Sequence, residues 1–166
     1  FDQKERYEYL WRQIAEEFMD HDHKLLFESY NEMLDSRRSW CYASFNGAYD
    51  DAFARGAYDA INEYAQSFVD VVRDTGGGNI ARNLIVNTYG ACSGAGTWNA
   101  HLKDPLKYMK LPDDLLEDHL LFEVHAYPDI EYFNSMKAEV DDMFAALETH
   151  LESKGAPVVI GEWGTS

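Results

Sequence analysis

Two glutamates stand where apolar runs of this chain stop. In "KLLFESYNEML", residues 24–34, Leu25, Leu26 and Phe27 suit the inside of a sheet, and the run ends at Asn31 and Glu32. In "KGAPVVIGEWG" the run from Val158 to Gly161 ends at Glu162 and Trp163. "DHLLFEVHAY" closes on His125 and Tyr127. A carboxylate beside an amide is costly to bury without partners, so such residues mark an opening and not a core. In parallel α/β folds, and above all in eight-stranded barrels, active sites collect at the carboxyl ends of strands. Two carboxylates meeting there can divide the work, one as acid and base, the other as nucleophile. Glycoside hydrolysis uses such a pair, about 5–5.5 Å apart when the sugar's configuration is retained.

The elements that must position these residues follow from periodicity. Tyr7, Leu10, Trp11, Ile14, Ala15 and Phe18 recur at threes and fours and predict a helix over 3–19, with Trp11 in the core. A strand is expected over 24–30, irregular chain over 35–55, and a second helix over 57–73. Ile61, Tyr64, Ala65, Phe68, Val71 and Val72 form that helix's apolar side, and "TGGGN" stops it. Further strands are expected over 82–89, 118–127 and 158–161, with a short helix over 103–110 and a long one over 131–152. Met136, Val140, Met143, Phe144, Leu147 and Leu151 mark the face of the long helix. Short apolar strands separated by helices argue for βαβ units and a parallel sheet. No composition break or repeat divides the chain, so residues 1–166 read as a single domain.

Composition sets outer limits. A chain of 166 residues with 46% hydrophobic residues can build a core. A net charge of −16 repels nucleic acid and anionic membranes, so neither is expected as a partner. Cys41 and Cys92 are too few for a disulfide framework. No run reaches membrane-spanning length, and no signal peptide opens the chain.

"LLFESYNE", "FEVHAYPD" and "VVIGEWG", in this order and spacing, resemble glycoside hydrolase family 5, and most of all its bacterial endo-β-1,4-glucanases. "LWRQIAEEF", "VDVVRDTGGGNIARNLIVNTYGA" and "LPDD" look like the same family, so the resemblance covers nearly the whole chain. Each motif is weak alone; their order makes them specific. The resemblance implies an α/β fold that is part of a (β/α)8 TIM barrel, from the third helix to the seventh strand. It implies a β-glucan substrate, polysaccharide or oligosaccharide, no cofactor and no metal. Glu32 is then the acid/base and Glu162 the nucleophile. Asn31 contacts the 2-hydroxyl of the sugar, Tyr127 holds the nucleophile through its hydroxyl, and His125 lines the pocket. Met33 stands where the family usually has proline. An Arg and a His from the early strands and a Trp from the eighth fall outside the matched motifs. The family's bacterial members also imply an extracellular or periplasmic setting.

Bland readings stand beside these. Trp40, Trp98 and Tyr89 are candidate sugar platforms, with plain packing at least as good an account, and Trp163 reads as wall packing. His21 and His23, around Asp22, have ligand-like spacing but sit in a helix-end loop. Gly76, Gly77 and Gly78 follow a helix and lack a Lys-Ser or Lys-Thr, so they form no phosphate loop. A partial barrel leaves two sheet edges open to the remaining barrel segments or to a second copy. An inactive fragment, a non-catalytic glycan-binding protein and an oligomeric half barrel are therefore the rivals to a glucanase.

Overall fold

A computed structural model describes residues 2–34, 51–93, 105–127 and 133–164. Trp40, Cys41 and Trp98 lie outside these residues. The order is α1 (Asp2–Glu17), β1 (Phe27–Glu28), α2 (Asp51–Asp74), β2 (Leu84–Cys92), β3 (Leu120–Ala126), α3 (Phe133–His150) and β4 (Val158–Trp163). The four strands form one sheet in the order β1-β2-β3-β4, every pair parallel. This is a curled half barrel with helices on its outer face, as the alternation of strands and helices predicts.

Side chains alternate across the strands and sort into two faces. Phe27, Leu84, Val86, Leu120, Phe122 and Val124 pack with Ile61, Ala65, Phe68 and Val72 of α2 and with Met143 and Leu147 of α3. The opposite, concave face carries Glu28, Asn87, Glu123 and His125. Among the described residues no helix is long and apolar enough to cross a membrane.

Several boundaries differ from the periodicity, each for a local reason. Residues 51–55, expected to be irregular, begin α2. Ala54 is fully buried there, and Asp51 accepts a bond from the Tyr108 hydroxyl at 2.6 Å. β2 runs on through Gly90 and Ala91, both at positive φ, across a register shift between Asn87 and Cys92. β1 is only two residues long because side chains take over its ladder. The Ser29 carbonyl accepts the Tyr7 hydroxyl and the Trp11 indole N–H, both at 3.0 Å. On α1 only Ala15 of the predicted stripe is buried; Tyr7 and Trp11 are half-buried, and Leu10, Ile14 and Phe18 are exposed. Phe144 on α3 and Trp163 on β4 are also exposed, so Trp163 is not packed into a wall.

Arg82 ties the amino-terminal segment to the sheet. Its side chain is fully buried. Its guanidinium donates to the carbonyls of Phe18, His21, Asp22 and Leu25 and to Asn79 Oδ1, at 2.7–3.0 Å. It also lies 4.6 Å from the centre of the Phe27 ring. One planar fork thus satisfies the orphan carbonyls past α1 and aims the chain into β1.

Candidate active site

The site forms at the carboxyl ends of the strands. Beyond β1 the chain is held by its neighbours. Ser29 N–H donates to the Ile85 carbonyl at 2.9 Å, the Tyr30 hydroxyl to the Asn87 carbonyl at 2.9 Å, and Gly90 N–H to the Met33 carbonyl at 3.0 Å. These bonds deliver Glu32 to the mouth of the sheet although the strand has ended. β3 delivers His125 and Tyr127, and β4 delivers Glu162, which pairs in register with His125.

His125 Nδ1 lies 2.9 Å from Glu32 Oε1 and 3.4 Å from Glu162 Oε2. All three atoms fall within 4.8 Å of one another. A triangle of donors this small could grip a cation. A metal, however, would need the Nδ1 lone pair, whereas an atom in reach of two carboxylate oxygens is best served by carrying a proton. The Tyr127 hydroxyl donates to Glu162 Oε2 at 2.7 Å. That bond, ahead of desolvation and of the charges on Glu162 and Glu32, raises the Tyr127 pKa and keeps it a donor. Where this site turns over a substrate, removing the hydroxyl by Tyr127→Phe should slow it severalfold to about tenfold with little change in KM. A change confined to KM would count against this role.

Of the residues expected at the site, Glu32, Glu162, His125 and Tyr127 come together. Asn31 is exposed beside Glu32. Tyr89, read as a possible platform, is buried with its ring centre 6.4 Å from that of Tyr58, and so belongs to the core. Trp40 and Trp98 lie outside the described residues.

One group beneath the site escaped the sequence reading. Glu123 lies on β3 two residues before His125 and so on the same face. It is 3% exposed, with Asn87 beside it in register. Burial first, then the neighbouring Glu28 carboxyl, pushes its pKa up to about 8, with Glu162 adding to the rise. Its free value lies near 4.5, so between these values the folded chain holds a proton that the unfolded chain has lost. The resulting stability is complete below the unfolded value and is lost as pH rises through about 8. Unfolding free energies from urea titrations across that window should fall by up to about 1.4 kcal/mol per pH unit, and Glu123→Gln should flatten this slope. An equal slope in both proteins would assign it to other groups.

The family model for cellulase (glycosyl hydrolase family 5) matches residues 1–166. The chain belongs to glycosyl hydrolase family 5. It is 32% identical over 165 residues to endoglucanase 1 of Ruminococcus albus, covering 94% of this chain and 36% of that protein. A broad-specificity endoglucanase of family 5, subfamily 4, from an uncultured bacterium superposes with a TM-score of 0.89 at 55% identity. That match covers 99% of this chain and 45% of the other. A family 5 enzyme of Prevotella bryantii, solved as a mutant with a xyloglucan tetradecasaccharide, gives a TM-score of 0.79 at 37% identity. It covers 98% of this chain and 44% of that one. The family 5 chain thus spans less than half the length of these relatives, and its strands fit part of their TIM barrel.

Proposed function

We propose that this site cleaves β-1,4-glucans at internal bonds by a retaining double displacement. The observation that carries the reading is the approach of Glu32 and Glu162, whose nearest oxygens lie within 4.8 Å. Retaining pairs stand about 5–5.5 Å apart, whereas inverting pairs stand about 6.5–9.5 Å apart to admit a water. Glu162, held by Tyr127, attacks the anomeric carbon while Glu32 gives its proton to the departing glycosidic oxygen. A glycosyl ester forms on Glu162. Glu32, now ionised, takes a proton from water, and that water releases the sugar with its original configuration. Asn31 binds the 2-hydroxyl of the sugar being cleaved.

Cellulose-like glucans come first as substrates. The xyloglucan bound by the Prevotella relative and the broad specificity of the uncultured-bacterium relative support xyloglucan and mixed-linkage glucan as further ones, with mannan less directly supported. Such polymers do not enter cells, so the protein would work outside the cytoplasm. Fractionation of producing cells would place the activity. Reducing ends released from carboxymethyl-cellulose, with proton NMR showing the β-anomer first, is the expected result. Initial release of the α-anomer would overturn the retaining mechanism.

The span of less than half a relative's length supports a second reading, glycan binding without cleavage, in which the edges of β1 and β4 meet other barrel segments or another copy. Affinity for glucan without any new reducing ends would select it. Light scattering would show whether copies associate.

A further inference from the structure

We propose that Glu123 is a positioning residue for the catalytic pair: as a neutral carboxylic acid it donates to His125 Nε2 and fixes the ring as the neutral Nδ1–H tautomer that faces Glu32 and Glu162. This rests on the glucanase reading only for its consequence on rate.

Three buried polar atoms stand without partners beneath the site. Among the described residues these are Asn87 Oδ1, Glu123 Oε2 and His125 Nε2. The side chains of Glu123 and His125 are each 4% exposed. Leaving such atoms unpaired is expensive. With Nδ1 carrying the proton toward the two catalytic carboxylates, Nε2 of a neutral ring can only accept. Asn87 Oδ1 can only accept as well. The Glu123 and Glu28 carboxyls are hydrogen-bonded neighbours that can hold a proton between them, and Glu123 is the one with an oxygen placed beside Nε2. Glu123 Oε1 lies 3.7 Å from Nε2, a gap that closes with a shift of under about 1 Å.

The backbone makes room for this carboxyl. A Cβ built at Gly161 would fall 1.3 Å from Glu123 Oε1, so the acid occupies the side-chain space of the residue before the nucleophile. Its surroundings favour the neutral form: it is buried, with Glu28 beside it and Glu162 adding negative charge. Asn87 opposes this by hydrogen bonding, but more weakly than burial and Glu28. Further titratable groups around the imidazole, among the described residues, are Tyr127, which is bonded to Glu162, and Cys92, which pairs in register with His125 on β2.

The alternative is an ionised Glu123, which would draw a second proton onto His125 and put an imidazolium between the two catalytic carboxylates. That cation would weaken Glu32 as an acid and Glu162 as a nucleophile. A neutral ring instead offers one N–H without adding charge.

The test is a nitrogen NMR titration of imidazole-labelled chain, with the His125 signals identified by their loss in His125→Asn. Near neutral pH, His125 should read as a neutral ring with Nδ1 protonated and Nε2 accepting. A single step should appear near pH 8 as Glu123 loses its proton. In Glu123→Gln, whose amide can still donate, the tautomer should persist and the step should vanish. In Glu123→Leu, Nε2 should lose its hydrogen-bonded signature. Where glucan is cleaved, kcat for Glu123→Leu should fall on the order of tenfold, and Glu123→Gln should regain most of that loss. An imidazolium near neutral pH in the native chain, or Gln and Leu variants with the same His125 spectrum, would overturn the proposal. The spectra need no turnover, so they stand or fall separately from glucan cleavage.

Discussion

Glu162→Gln is expected to lower glucan cleavage by at least about three orders of magnitude, and Glu32→Gln by a comparable factor. Glutamine keeps the shape and most of the hydrogen bonds of glutamate. It cannot form the glycosyl ester at 162, and it cannot pass a proton to the leaving oxygen at 32. Both positions lie on the open side of the sheet, with 45% and 27% of the side chain exposed, so neither change should unfold the chain. The two losses should differ in kind. An aryl glucoside with a good leaving group needs little protonation, and should recover much of the first-step loss of Glu32→Gln. It should recover none of the loss of Glu162→Gln. An undiminished rate in either variant would remove that residue from the proposed mechanism.

The second large effect is on stability. Arg82→Ala should cost about 3–5 kcal/mol in urea unfolding. The substitution strips four backbone carbonyls of their donor and leaves Asn79 Oδ1 without its guanidinium partner. It also empties a fully buried volume against Phe27. Arg82→Lys should recover only part of this, because one ammonium cannot reach all the positions that a fork reaches. A loss under about 1 kcal/mol for Arg82→Ala would mean that water satisfies the segment as well as the arginine does.

The grouping of the candidate site was legible in the sequence because its residues break a strong local rule. A titratable residue at the end of an apolar strand has no packing purpose, and Glu32, His125, Tyr127 and Glu162 all announce themselves that way. Glu123 carries the same kind of signal in a weaker form. It is a carboxylate inside "LLFEVHAY", two residues before a histidine, and period-two alternation puts both on one face. A single charge in an otherwise apolar strand is easily absorbed into the strand, which hides it. Elements were legible where the apolar face was buried on the spot, as on α2. The stripe on α1 misled because it implied a buried face, and half of its residues are exposed. The length of β1 could not be read at all, since Tyr7 and Trp11, far away in sequence, take the carbonyl that a longer ladder would have used. The extension of β2 through Gly90 and Ala91 depends on positive φ, which residue type suggests for the glycine and not for the alanine.

The bare Cα of Gly161 has a consequence for redesign. The space beside it is already spoken for by the acid on the neighbouring strand, so positions 123 and 161 behave as one site with a fixed total volume. Any group grafted beside Glu162 would have to be matched by a shorter residue at 123. A designer who alters one of the two without the other would be reshaping the floor under the imidazole.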